Sequence, residues 1–178
     1  MNKQWALVGG IIGLLVAGAF VLVKFSPEKS GVAIGERAPD YRMIDLQSGD
    51  SVSLRERAKG KISIVNIWAT WCGPCKEEMP AMQRTYAELQ SRGFQILAVS
   101  IDEADGTEVR EFTDGLGITF DILHDKGGRI QQTYQTTGVP ESFLLDRDGT
   151  IIKRVIGAHD WSSPANKNHL ERSLDALP

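Results

Sequence analysis

One stretch of the sequence constrains the fold more than any other: a β-branched run that leads directly into two closely spaced cysteines. Residues 62–68 read Ile-Ser-Ile-Val-Asn-Ile-Trp, a composition suited to a central strand buried on both faces. Cys72 and Cys75 follow at the start of a segment with helical periodicity. Positions i and i+3 lie on one face of a helix, about 5–6 Å apart at Cβ. The spacing therefore predicts a disulfide that forms and breaks with little movement of the backbone.

The rest of the chain alternates between predicted helices and strands. A helix is predicted over residues 72–92, because apolar side chains recur there at helical spacing: Met79, Met82, Tyr86 and Leu89. Further helices are predicted over 103–117, 128–134 and 160–177, and further strands over 94–101, 119–123, 142–145 and 150–155. Turn residues between 46 and 51 predict a small hairpin before the main domain. We expect an α/β domain whose sheet is parallel in part and antiparallel at one edge.

Charge and cysteine content argue against nucleic-acid binding and against a fold stabilised by disulfides. A formal net charge of -3 gives no electrostatic case for nucleic-acid binding. Only two cysteines are present, and they are too close in sequence to close a long loop. A structural disulfide framework is therefore excluded, and stability has to come from a packed core.

Residues 6–23, near the N-terminus, form an apolar run that contains no charged residue. At ~1.5 Å per residue it would extend about 27 Å as a helix, which just reaches across a hydrocarbon core. The small-x-small sequence Ala17-Gly18-Ala19 makes a cleaved signal peptide one interpretation. An uncleaved anchor is favoured, because apolar sequence continues past that site to Val23. We expect a signal-anchor transmembrane segment at 1–25, a linker at 26–34 and a folded domain at 35–178.

The charges that flank the apolar run do not set its orientation. Lys3 precedes the run, whereas Lys24, Lys29 and Arg37 follow it, so the positive-inside count does not favour an exported domain. A short basic start followed by an apolar run is nevertheless typical of export signals. We expect a single-pass protein of the cell membrane, with its domain on the extracytoplasmic (periplasmic) side.

The position of the two cysteines predicts different roles for them. Cys72, at the helix N-terminus, faces unpaired N–H groups and the positive end of the helix dipole, which favour the thiolate and lower the pKa of the thiol. Cys72 is therefore the predicted nucleophile, and Cys75, one turn further, the resolving thiol. A zinc site would need four ligands, and no second cysteine pair exists. A purely structural disulfide would add little loop-closure entropy. No metal or cofactor is expected beyond the redox-active disulfide itself.

The sequence around the cysteines resembles a known family. Trp71-Cys72-Gly73-Pro74-Cys75-Lys76, with Pro80 five residues after Cys75, resembles thioredoxin. The longer pattern from Asn66 to Pro80 is more similar to the membrane-anchored TlpA/ResA/CcmG-like proteins involved in cytochrome c maturation, as are the N-terminal apolar run and the segment 103–123. The resemblance covers roughly Ile34 to the C-terminus. It implies a thioredoxin fold with an N-terminal hairpin and a helix–strand insert.

The resemblance also implies which residues form the site. Val139 and Pro140 match the position where thioredoxin-fold proteins hold a cis-proline beside the active disulfide, exposing backbone for strand-like pairing with a substrate. The implied substrate-binding residues are Trp71, Gly73, Pro74, Val139 and Pro140.

Two acidic residues complete the predicted catalytic set. Glu78 lies three residues after Cys75, so it is either a proton carrier for the thiols or a solvated acid within Lys76-Glu77-Glu78. Glu141 resembles the Pro-Glu-Thr/Ser variant of the cytochrome-maturation members; the alternative is a loop-surface charge. Thioredoxins have Asp where this chain has Asn66, which cannot titrate. Proton transfer must therefore fall to Glu78, Glu141 or water.

The resemblance implies a thiol-disulfide oxidoreductase that reduces exported proteins such as apocytochrome c. Its own reduction is expected from a membrane thiol reductant of the CcdA or DsbD type. Cys-Gly-Pro-Cys accompanies a reducing potential of about -270 mV in thioredoxin, which favours this direction. Two alternatives stay open. A peroxiredoxin-like thiol peroxidase would carry Pro-x-x-x-Thr-x-x-Cys, whereas Thr70 stands only two residues before Cys72. A Sco-like copper-binding chaperone would carry Cys-x-x-x-Cys, one residue longer than the spacing here.

Overall fold

The computed structural model describes residues 12–15, 18 and 32–176. Residues 12–15 and 18 are helical. Most of the predicted anchor and most of the predicted linker lie outside the described residues. Within those residues, no helix has both the length and the apolar character needed to cross a bilayer. Val32, which the sequence assigns to the linker, is already buried in the core.

A single mixed sheet organises the domain. Its seven strands run in the order β2-β1-β5-β4-β3-β6-β7. The pairs β3–β4 and β4–β5 are parallel, and the other four pairs are antiparallel. The strands are β1 Arg42–Asp45, β2 Ser51–Ser53, β3 Ile62–Trp68, β4 Phe94–Ser100, β5 Asp121–His124, β6 Glu141–Leu145 and β7 Ile151–Ile156.

Five helices accompany the sheet in residues 32–176. They are α1 Leu54–Ala58, α2 Gly73–Leu89, α3 Gly106–Gly115, α4 Ile130–Thr133 and α5 Pro164–Asp175, and a 3₁₀ turn at Gln90–Arg92 extends α2. Side chains cap three of these helices: Ser53 accepts from the Glu56 N–H, Asp105 from the Thr107 N–H and Cys72 from the Cys75 N–H. Met79, Met82 and Leu89 on α2 are buried, as their spacing predicts.

The thioredoxin-like α/β fold expected from the sequence is confirmed, with one change at the sheet edges. Antiparallel pairing occurs at both edges and not at one, because β1 pairs with β5 through Ile44 and His124. The predicted hairpin therefore extends the main sheet instead of standing before it. The sequence did not predict α1, whose five residues are too few to establish a period.

Strand β3 places the two cysteines. All seven of its residues are buried, since β4 and β6 pair with it on either side. Its carboxyl end leads directly into α2. The antiparallel partner β6 begins at the same end, where Glu141 lies opposite Ile67. The segment that precedes β6 is thereby held beside the start of α2.

Candidate active site

The two cysteines form a disulfide at the N-terminus of α2. Their Cα atoms are 5.3 Å apart. Cys72 is the N-cap residue, and the backbone N–H of Cys75 points at its Sγ at 3.2 Å. Cys75 is fully enclosed, whereas Cys72 keeps 5% of its surface accessible. In the reduced state the helix terminus would stabilise a thiolate on Cys72, and Cys75 would stay shielded from solvent.

Five residues predicted to bind substrate surround the accessible sulfur. The Val139–Pro140 peptide bond is cis, as the resemblance implies, and the Val139 carbonyl oxygen lies 3.6 Å from Cys72 Sγ. Gly73 and Pro74 are exposed, and Trp71 has 65% of its surface accessible. Pro140 itself is buried, so the surface beside the accessible sulfur is formed by the other four residues. Substrate binding by all five remains a prediction.

Glu78 is a buried residue of α2, one turn after Cys75, so it is not a solvated acid. Only 5% of its surface is accessible. One carboxylate oxygen accepts from Asn66 Nδ2 at 2.8 Å, and the other from the backbone N–H of His159 at 3.0 Å. Burial raises the pKa of Glu78 to about 7, although both hydrogen bonds act in the opposite direction. A carboxyl group of this kind can exchange protons near neutral pH.

Asn66 links Glu78 to the strand that follows the cis-proline. Its Nδ2 donates to the hydroxyl of Ser142 at 2.9 Å as well as to Glu78, while its Oδ1 has no hydrogen-bond partner among the described residues. Ser142 lies two residues after Pro140. The uncharged residue at this position therefore orients the acid and does not itself transfer protons. No sequence pattern indicated a role for Ser142 or His159, which are distant along the chain.

Glu141 is fully buried and ion-paired, so it is not a loop-surface charge. Its Oε1 accepts from Arg154 Nε at 2.6 Å, and its Oε2 accepts from the Thr137 N–H at 3.0 Å. Arg154 also donates to the Gln135 carbonyl at 2.9 Å. The ion pair between Glu141 and Arg154 therefore holds residues 135–140, which end in the cis-proline. Because both carboxylate oxygens are engaged, the geometry suits Glu141 to positioning the loop; its predicted catalytic role is untested.

Two clefts are lined by residues that precede or follow the two cysteines in sequence. One, of about 340 Å³, is lined by Glu78 and His159. The other, of about 540 Å³, lies beside Trp71, and Asp102 and Glu103 contribute acidic groups to it. Among the described residues, no cluster of His, Cys, Asp and Glu is arranged to hold a metal ion.

Comparisons with known proteins agree with this geometry. The family model described as AhpC/TSA family matches residues 34–154. Thiol-disulfide oxidoreductase ResA of Bacillus anthracis is 38% identical over 160 residues, covering 88% of this chain and 91% of that protein. ResA of Geobacillus kaustophilus is 33% identical over 181 residues, covering 99% of each. The thioredoxin domain of a thiol-disulfide oxidoreductase from Bacteroides vulgatus superposes with a TM-score of 0.70 at 27% identity, covering 81% of this chain and 99% of that one.

A thioredoxin-like sheet, a disulfide at the helix N-terminus and these similarities lead to one assignment. The chain belongs to the AhpC/TSA family, and within it to the ResA-like thiol-disulfide oxidoreductases.

Proposed function

We propose that this thiol-disulfide oxidoreductase reduces disulfides in exported proteins, apocytochrome c among them, while anchored in the cell membrane. The observation that carries the proposal is the Cys72–Cys75 disulfide, with one sulfur accessible at a helix N-terminus and the other enclosed. The intervening Gly73 and Pro74 are the pair found in the reducing thioredoxin motif, which supports the reducing direction.

The catalytic cycle transfers two electrons from the dithiol to the substrate. The Cys72 thiolate attacks one sulfur of the substrate disulfide, and the other substrate sulfur leaves as a thiolate. Cys75 then loses its proton and attacks Cys72 Sγ in the mixed disulfide. This step releases the second substrate thiolate and restores the Cys72–Cys75 disulfide. The substrate thiolates take up two protons in all.

Glu78 is the group best suited to take the proton from Cys75. The two residues are three positions apart on α2, which puts their Cβ atoms about 5–6 Å apart. With a pKa of about 7, Glu78 is partly ionised near neutral pH and can both accept and return a proton. The Asn66 amide and the His159 N–H hold its carboxylate in place throughout.

The proposed location follows from the N-terminal sequence. Residues 1–25 would anchor the protein in the cell membrane and residues 26–31 would form a linker. The extracytoplasmic catalytic domain would begin at Val32, which is buried in the core. The alignment with Geobacillus kaustophilus ResA, which covers 99% of this chain, extends over the apolar run. In an oxidising compartment the enzyme needs a membrane thiol reductant of the CcdA or DsbD type. A tether raises the effective concentration of the domain near that donor.

Trapping with Cys75→Ala tests the proposed clients. Without the resolving thiol, the mixed disulfide on Cys72 should persist, and mass spectrometry of the trapped species should identify exported proteins with paired cysteines. The Cys72→Ala/Cys75→Ala double variant is the matched control and should trap nothing. Recovery of cytoplasmic proteins alone would contradict the proposed location.

The same purified protein tests the direction and the two alternatives. We expect a reduction potential near the thioredoxin value of about -270 mV; a value near the DsbA value of about -120 mV would reverse the direction. Rapid turnover of hydrogen peroxide would favour the peroxiredoxin-like peroxidase. Tight binding of copper would favour the Sco-like chaperone.

A further inference from the structure

A basic cleft lies at the end of the domain opposite the disulfide. It measures about 310 Å³ and is built from α1 and the turn between β6 and β7. Its charged lining consists of four basic and two acidic side chains: Arg37, Arg55, Lys59 and Arg147 against Glu56 and Asp148. Arg55 and Lys59 are exposed. Arg147 is held in place by donating to the carbonyls of Leu174 and Ala176.

Strand β3 separates this basic cleft from the active site. Just before β3 begins, the Gly60 N–H donates to the Arg147 carbonyl at 3.0 Å. Just after β3 ends, the chain reaches Cys72. The strand has seven residues, which at ~3.3 Å per residue span about 23 Å. The basic cleft and the redox disulfide therefore lie at opposite ends of the molecule.

The N-terminal chain enters the domain beside the basic cleft. The Gly35 N–H donates to the Ile151 carbonyl, and the Ala38 N–H to the Gly149 carbonyl. Arg37 forms a β-bridge with Thr150. Residues 33–35 are exposed. Chain that precedes residue 32 is thus connected to the fold next to the cleft, and a membrane anchor in that chain would bring this end of the domain to the lipid surface.

One cleft at the disulfide end of the domain is acidic. The cleft beside Trp71 is lined by Asp102, Glu103 and Glu108, with no basic side chain among its lining residues. An anionic surface would therefore attract the basic cleft beside the tether and repel this acidic cleft. Both effects favour the same orientation.

We propose that the basic cleft docks on anionic lipid headgroups and holds the disulfide face away from the bilayer. This inference rests on the proposed membrane anchor, because the anchor brings the cleft to the lipid. Headgroup phosphates provide the negative charge that Arg and Lys side chains bind. Each basic residue removed should lower the docking equilibrium constant about fivefold, equivalent to the roughly 1 kcal/mol that a basic residue contributes at an anionic membrane surface.

Amide hydrogen exchange of the full chain in lipid nanodiscs tests the proposal. We would compare discs of phosphatidylcholine with discs that also contain phosphatidylglycerol. On the anionic discs, the amides of residues 55–60 and 146–150 should exchange more slowly than on the neutral discs. High salt should remove the difference, since it screens exposed charges.

Two double variants show which residues produce the slower amide exchange on anionic discs. Arg55→Gln/Lys59→Gln removes two exposed cleft charges and should weaken docking about 25-fold, which abolishes the protection. Arg110→Gln/Lys126→Gln removes two exposed charges elsewhere and should leave the protection intact. Equal exchange on both kinds of disc, or protection that survives the cleft variant, would overturn the docking surface alone. A chain absent from the disc fraction would overturn the anchor, and this inference with it. Disulfide exchange with a soluble substrate reports on the catalytic function separately.

Discussion

Glu78→Gln in the oxidised protein should change the pH dependence of folding stability. Glu78 has a pKa of about 7 in the folded state and an ordinary value of 4.5. Below pH 4.5 the acid is neutral in both states, so its titration contributes nothing. As the pH rises from 4.5 to 7, the unfolded chain loses the proton while the folded protein retains it. The free energy of unfolding of the wild type must therefore fall over this interval.

The size of the fall follows from the difference between the two pKa values. At about 1.4 kcal/mol per pH unit, it amounts to roughly 3 kcal/mol, and it is complete above pH 7. Glu78→Gln cannot titrate, so its stability should not contain this component. The hydrogen bonds from Asn66 and His159 contribute an offset to the comparison. The difference in the free energy of unfolding between wild type and variant, measured as a function of pH, separates that offset from the effect of titration.

The suitable assay is urea unfolding at a series of pH values. A range from about pH 4 to about pH 9 includes both pKa values of Glu78. A fragment that begins at Val32 serves for it, because the described hydrophobic core lies between Val32 and Leu174. The variant should gain stability relative to the wild type between pH 4.5 and 7. Glu77→Gln is the matched control, since it replaces an exposed acid on the same helix and leaves Glu78 in place; its difference from the wild type is measured over the same pH range. A flat curve for Glu78→Gln would refute the argument that burial raises the pKa of this carboxyl group.

Three further perturbations probe the site. Glu78→Gln should slow disulfide exchange by about 10²-fold, the lower end of the general acid–base range; unchanged insulin-reduction rates and thiol titrations would remove Glu78 from the mechanism. Asn66→Ala deletes a donor to the Glu78 carboxylate and should raise the pKa of Glu78 further, which a carbon-13 NMR titration of its carboxyl would show. Arg154→Ala leaves the buried Glu141 charge without its ion-pair partner and should cost roughly 3 kcal/mol in urea unfolding. If Arg154→Ala were neutral, the pair would not hold the cis-proline loop.

Local features of the sequence predicted the centre of the molecule well. Strand β3 and helix α2 follow from a buried β-branched run and from apolar residues at helical spacing. The spacing of Cys72 and Cys75 sufficed to predict a disulfide at a helix start, since i and i+3 share one face. The cis bond before Pro140 did not follow from the residues themselves; the family resemblance supplied it.

Contacts between distant parts of the chain were beyond sequence patterns. The His159 N–H that binds Glu78 lies 81 positions away, and the loop that carries it has no periodic signal. Pairing of Arg154 with Glu141 depends on the register of the β6–β7 hairpin, which turn residues alone do not fix. Likewise, nothing local indicated that β1 would add to β5 and create a second antiparallel edge. Burial of both Glu78 and Glu141 arises from these long-range contacts.

The reactivity of the reduced Cys72 sulfur is the decisive measurement for its assignment as the nucleophile. The rate of its alkylation by iodoacetamide should be measured against pH, with free cysteine as the reference and Cys75 replaced by Ala. We expect Cys72 to ionise well below the free thiol value of about 8.5, so that near neutral pH it reacts faster than free cysteine. Reaction no faster than that of free cysteine at neutral pH would contradict that assignment.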